Sequence, residues 1–397
     1  SRGVTVTHAY DALDRRTSTT FPTEGEDRTY LYDQGINGTG RLTGYDDESG
    51  STRFSYDTRG NILTETRTIQ GRTYSLGYAY HTADRLISLI YPSGLTVTYS
   101  YDGQGRVQQI SADGQPVLSD IAYLPFGPAT TWTDGSGLLH TETFDTDYRS
   151  TGIAVGSLQD FGYLYDAADN ITDWTDDLDT GKSQSFGYDA LDRLTDADGP
   201  YGAVDFTYDA VGNRRSKTVD TEITSYSYPA DSHRLQETTG ADPGTYTYDA
   251  AGNLIQDDRF QYVYNQANRL AEVKQSGATV ATYTYNAEGQ RVAKSAGAQN
   301  RHYVYGTEGE LLGVYDAATG DPIEEFVYFS SVPVATIRSG IPYYVHTDHL
   351  RTPRLVSDQT QTVVWRWISD PFGEAIPDQD PDGDGTIFVL NLRFPCL

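Results

Sequence analysis

The chain has 397 residues, with 56 Asp and Glu against 29 Lys and Arg and a formal net charge of −27. That length exceeds one ordinary compact core and suits several domains or one repeat array. The charge disfavours a nucleic-acid partner, which needs clustered cations, and no run of 18 apolar residues exists to span a membrane as a helix. Tyr numbers 32 and Gly 39, which favours many short strands joined by frequent turns. Asp recurs at the turns along the whole chain, so turn chemistry and solubility account for most of the acidity. The single cysteine, Cys396, allows no intrachain disulfide; an incidental terminal residue is the favoured reading over one that cross-links two chains. Met is absent and Ser1-Arg2-Gly3 shows no secretory signal, so the chain reads as a processed piece of something longer.

In chain order, the first repeat copies begin at Tyr10 (YDALDRRT), Tyr56 (YDTRGNIL), Tyr80 (YHTADRLI) and Tyr101 (YDGQGRVQ). The segment 121–149 interrupts them, and Tyr165 (YDAADNIT) resumes the pattern. The clearest block is anchored by Tyr188, Tyr208, Tyr228, Tyr248, Tyr264, Tyr285 and Tyr305, spaced by 20, 20, 20, 16, 21 and 20 residues. Tyr-x-Tyr pairs such as Tyr246/Tyr248 and Tyr303/Tyr305 place both rings on one face of a strand. Asp or Asn follows, then Gly, Asp or Asn three residues later, which accept turn geometry. An aliphatic residue, such as Leu194, Leu254 or Leu270, then returns the chain to the apolar face. The Tyr208 unit departs from this, with Arg214-Arg215 at that place. About 20 residues hold two strands of typical length and their turns, and a lone hairpin is marginal in water. Stacked hairpins share an apolar face and become stable together, so the unit explains the array. A propeller would need a unit of about 40–50 residues, and this period argues against it.

Candidate chemistry is sparse. Asp378, Asp380, Asp382 and Asp384, alternating before Gly383 and Gly385, resemble the first half of a calcium loop. Position 12 of such a loop is Val389, which cannot ligate, so an acidic solvated hairpin loop is the plainer reading. His346, Asp348 and His349 offer two imidazoles and a carboxylate, but a turn with bonded histidines is favoured over a metal or catalytic site. Trp132, Trp174, Trp365 and Trp367 are either core residues or a sugar-stacking platform, the core being the commoner fate. Asn37 and Asn170 stand in glycosylation sequons that matter only in a glycosylating host. No nucleophile elbow, phosphate loop or dinucleotide fingerprint is present, and no cofactor is expected.

The recurring Y-D-x-x-G-N-[RL]-[LI] closely resembles the YD repeat of the Rhs family, which includes Tc toxin C components, polymorphic toxins and the teneurin shell. Residues 121–149 (IAYLPFGPATTWTDGSGLLHTETFDTDYR) look like that family's segment between repeat blocks. Residues 343–395 look like its approach to the Rhs core. The resemblance implies an all-β spiralling array of stacked antiparallel hairpins, an open or partial cocoon. Repeats would fill 1–120 and 161–330, with an inter-block segment at 121–160 and a core-proximal segment at 331–397. It also implies a secreted or cell-surface bacterial shell that sequesters a C-terminal toxin. Its partners would be that cargo or the remaining Rhs segment. No residues matching the family's autoproteolytic aspartate centre are present to carry over, so no enzyme activity is expected. Unpaired strand edges predict self-association. The alternatives are a surface adhesion or carbohydrate-binding module, and a metal-dependent enzyme.

Overall fold

A computed structural model describes residues 3–23 and 25–393, and Cys396 lies outside the described residues. They contain 36 β-strands and one three-residue helical turn, Thr180–Lys182, and no α-helix. Strands Thr7–Tyr10 through Gly244–Thr245 belong to a sheet of 23, and strands Thr247–Tyr248 through Val363–Arg366 to a sheet of 13. Pairing is antiparallel between strands consecutive in sequence, as expected for hairpins.

The repeat sequence sets the hairpin locally. Strand Gln184–Tyr188 turns into strand Leu194–Gly199, with Tyr188 opposite Leu194 and a register shift just before Tyr188. The Asp189 N–H donates to the Arg193 carbonyl and the Asp192 N–H to the Asp189 carbonyl, both at 3.0 Å. This is a type I turn followed by a left-handed residue that makes a bulge. The left-handed residue stands four after the tyrosine: Gly60 (φ 100°), Asp192 (φ 57°), Gly212 (φ 90°), Asn268 (φ 63°) and Gly289 (φ 82°). Only Gly, Asn and Asp enter that region readily, which accounts for the Gly-or-Asp-or-Asn position of the repeat. The Asp after the tyrosine closes the turn, since Asp189 Oδ1 accepts the N–H groups of Leu191 and Arg193. The Tyr228 unit breaks the rule. Pro229 replaces the Asp and has no N–H to donate, and Tyr228 lies just beyond strand Glu222–Ser227, whose Ser227 pairs with Glu237.

The chain divides into two compact units, each discontinuous in sequence. The first comprises Ser1–Tyr99, Thr245–Phe326 and Arg338–Gly340. Its hairpins before Tyr99 pack on those after Thr245: the rings of Tyr74 and Tyr315 approach to 4.9 Å, and the Tyr91 hydroxyl donates to the Phe326 carbonyl at 2.7 Å. Loop carboxylates reinforce the contact, with Glu48 accepting the Tyr285 N–H and Asp47 the Ala287 N–H. The second unit comprises Ser100–Gly244, Val327–Ile337 and Ile341–Leu397. Its core contains Ile153, Tyr163 and Trp174, flanked by Phe161 and Phe186, and Trp132 packs between His140 and Phe329.

Gly212 has nothing within 4 Å of a Cβ built on it, so a side chain there meets only the backbone penalty. Gly212→Ala should lower stability by about 1 kcal/mol and Gly212→Asn by less, read as the shift in urea midpoint.

Candidate functional site

What repeats from hairpin to hairpin is a lateral tie. In most units the second tyrosine sends its hydroxyl to a backbone carbonyl of the preceding hairpin. Tyr188 reaches Ile171 at 2.9 Å, Tyr208 reaches Leu194 at 2.7 Å, Tyr285 reaches Leu270 at 2.8 Å and Tyr305 reaches Arg291 at 2.9 Å. Earlier copies do the same, Tyr32 to Arg16 at 3.0 Å, Tyr123 to Val107 at 2.7 Å and Tyr165 to Ser150 at 2.7 Å. The acceptor is the residue that opens the return strand, the aliphatic position of the repeat. Leu194, Leu254 and Leu270 are half-buried there, opposite Tyr188, Tyr248 and Tyr264.

The position just before the acceptor completes the tie in two chemistries. Where it is Arg, the guanidinium holds the turn Asp and lies over the next unit's ring. Arg193 Nε donates to Asp189 Oδ2 at 2.8 Å and its guanidinium sits 4.7 Å from the Tyr208 ring centroid. Arg15 over Tyr32, Arg106 over Tyr123 and Arg149 over Tyr165 repeat this at 4.5–4.7 Å. The Arg193 side chain holds the Asp189 carboxyl below its usual range. Where the position is Asn, the amide bridges two turns. Asn170 Nδ2 donates to Asp166 Oδ2 at 3.1 Å and to Asp192 Oδ1, the next left-handed residue, at 3.0 Å. Asn253 joins Asp249 and Asn268 in the same way. The sequence signal was the Arg or Asn that stands five residues after many of the tyrosines, as Arg193 after Tyr188 and Asn170 after Tyr165, to which sequence reasoning gave no role.

The anchoring tyrosines Tyr188, Tyr208, Tyr228, Tyr248, Tyr264, Tyr285 and Tyr305 are half-buried, because a ring that tips a neighbouring hairpin keeps one edge in solvent. Full burial falls to their partners on the same face, Tyr163 and Tyr303 among them. Arg214, the departure from the aliphatic rule, stacks on Phe206 and Phe372 at 4.6 and 4.4 Å, so an Arg here packs as an apolar residue would.

The first unit also buries an ion pair. Arg67 Nε donates to Glu65 Oε1 at 2.5 Å, with side chains 4% and 1% exposed. Burial pushes the Glu65 carboxyl up, and it also raises the Tyr45 and Tyr78 hydroxyls strongly.

Asp380, Asp382 and Asp384 bring carboxylate oxygens within 4.8 Å of one another, the only such trio of His, Cys, Asp or Glu among the described residues. Asp378 is not part of it, since its backbone pairs with Arg366 and its Oδ1 accepts the Asp380 N–H. Asp382 is exposed, yet desolvation by its neighbours and the adjacent Asp384 carboxylate raise its carboxyl. His346 and His349 do not converge. The His346 Nε2 bonds Ser357 Oγ at 2.8 Å, while Asp348 closes a turn and holds Arg354 Nε at 2.8 Å. All four tryptophans are buried, as core residues are. A cleft of about 280 Å³ in the second unit is walled by Trp174 and Trp367. Several of its charges are engaged internally: Asp179 with Lys182 at 3.0 Å, Arg354 with Asp348 at 2.8 Å, and Asp176 with the Leu178 and Asp179 N–H groups.

The family model described as Teneurin YD-shell matches residues 148–387, and the RHS Repeat model matches residues 80–116. No curated protein matches the chain by sequence. Solved structures similar to it include the Tc holotoxin pore of Photorhabdus luminescens, at 16% identity and TM-score 0.77, covering 94% of this chain and 23% of that one. The complex of TcdB2-TccC3 with Cdc42 gives the same figures. TcdB2-TccC3 itself is similar at 16% identity and TM-score 0.76, covering 94% of this chain and 24% of that one. The chain thus spans about a quarter of the length of these chains and shares their fold.

Tyr208→Phe removes only the hydroxyl tie and should lower stability by about 1 kcal/mol, with Arg193→Lys costing a further few tenths through lost stacking, both measured by urea denaturation. Arg67→Met strands a buried carboxylate and should cost about 3–5 kcal/mol, whereas the double change Glu65→Leu/Arg67→Met should recover most of that loss in the same measurement.

Proposed function

The chain belongs to the teneurin YD-shell family, and on that premise we propose that it is a wall segment of a Rhs-type toxin shell whose task is to sequester a C-terminal toxin cargo. The observation that carries the reading is the lateral tie, repeated from Tyr32 to Tyr305. It joins one hairpin to the next through a tyrosine hydroxyl and, in most copies, an Arg or Asn, which is what a continuous wall requires. The structures it resembles are of Tc toxin assemblies, which supports the same reading. In it the activity is steric, and the chain contributes no catalytic group. Its partners are the cargo or the remaining shell polypeptide, in a secreted or cell-surface bacterial protein. The net charge of −27 favours a basic cargo.

The adhesion alternative is disfavoured by the burial of all four tryptophans. The metal-dependent alternative retains the loop Asp380–Asp384 as its candidate site, with calcium as the ion its oxygen ligands would suit. The test uses the complete polypeptide that carries this segment. Cargo inside it should resist protease, and Tyr188→Ala with Tyr208→Ala should expose that cargo while distant shell regions stay intact. Cargo cut equally fast with and without those changes would sink the proposal. So would specific glycan capture, or a calcium-dependent thermal shift with turnover.

A further inference from the structure

The second unit holds three imidazoles along one internal boundary. His140, on strand Leu139–Phe144, is 5% exposed, stacks on Trp132 at a centroid distance of 3.7 Å, and has an Nε2 without a hydrogen-bond partner. His346, on strand Ile341–Thr347, is 4% exposed and is held by Ser357. His349, in the turn that follows, sets its ring against Tyr163 at 4.6 Å and Trp174 at 6.1 Å, with Nδ1 buried and unpartnered. Two hairpin-layer strands and the 341–357 segment therefore meet across neutral rings.

The charges that face these rings are few and mostly engaged. His140 faces His346 and Arg351; His346 faces Asp134 and His140; His349 faces Asp348, Arg351 and Arg354. Asp348 is ion-paired with Arg354, and Glu142, on the His140 strand, with Arg351 at 3.1 Å. Asp134 Oδ1 accepts the N–H groups of Ser136 and Leu138, which leaves Oδ2 unpartnered. With neutral imidazoles these groups carry one negative charge in excess; with all three protonated they carry two positive charges in excess. A cation buried in such a setting is strongly disfavoured.

We propose that this boundary is an acid-sensitive latch, in which proton uptake by His140, His346 and His349 frees strands Ile341–Thr347 and Pro353–Ser357 from the hairpins that carry Trp132, Tyr163 and Trp174. Burial pushes all three imidazoles down, His346 to about 4. The unfolded chain, with histidines near 6.5, therefore binds more protons. Stability is present above that value and is lost as pH falls toward 4. His346 alone should raise the unfolding constant as pH falls from 7.5 to 5. Turn carboxylates held low, such as Asp166 and Asp189, leave this window clear because they protonate below it. In the first unit, Glu48, Glu65 and Glu310 are pushed up by burial and act with the opposite sign. In the shell reading the latch lets the wall yield in an acidic compartment, but the latch itself does not depend on that reading.

Hydrogen exchange of the full chain at pH 7.5 and 5.0, corrected for intrinsic rates, tests it. Residues 341–357 should exchange at least tenfold faster at pH 5.0, ahead of the other strands of the second unit, and the urea midpoint should fall. His140→Gln/His346→Gln should flatten both responses, whereas the exposed-site control His8→Gln/His81→Gln should not. Equal protection of 341–357 at both pH values overturns the proposal. So does uniform loss across all strands, or an undiminished response in the double variant. Should that variant fail to fold, the exchange map of the unaltered chain decides alone.

Discussion

A hairpin of five- or six-residue strands buries too little to hold itself together, so everything in this molecule depends on what joins one hairpin to the next. The backbone ladder supplies part of that join. The tyrosine tie supplies the rest, by placing a hydroxyl against a carbonyl at the bulge, where the ladder is interrupted. The bulge follows from the left-handed residue, and the left-handed residue follows from a Gly, Asp or Asn four places after the ring. One backbone constraint therefore propagates to the ring, to the Arg or Asn that braces it, and to the neighbouring turn.

The same constraint accounts for the acidity. Most of the repeat turns hold an Asp whose oxygens accept two or three N–H groups and, in the Arg copies, a guanidinium. These carboxylates sit at exposed turns, where their charge keeps the array soluble at little cost. The buried polar groups are a separate matter. Glu65 with Arg67 in the first unit, and the three imidazoles in the second, lie in the layer between strands and meet few compensating partners. Burial shifts them in opposite senses, the Glu65 carboxyl up and the imidazoles down.

At 16% identity to the Tc toxin structures, little of the side-chain detail is shared, yet the fold is. A fold specified by turn geometry and a recurring ring tolerates this, because most positions between them need only alternate between an inner and an outer face. The interchange of Arg and Asn in the tie shows the same tolerance inside this chain. Both reach the next hairpin, one through a planar cation over a ring and the other through an amide between two turns.

The fold class was legible from the residues because the repeat states it locally. A Tyr-x-Tyr pair, an Asp and a left-handed position read as a hairpin without any distant contact, and the 20-residue period implies an array. The role of Arg193 or Asn170 was not legible, since a side chain that braces the next hairpin acts across 15 to 22 residues and only the stacking reveals its partner. Nor did the sequence place His140 beside His346, some 200 residues apart, or separate Asp378 from the carboxylates it alternates with. Local chemistry set the hairpin. The packing of distant hairpins on one another decided which tyrosines are fully buried, which tryptophans are hidden, and which imidazoles lost their water.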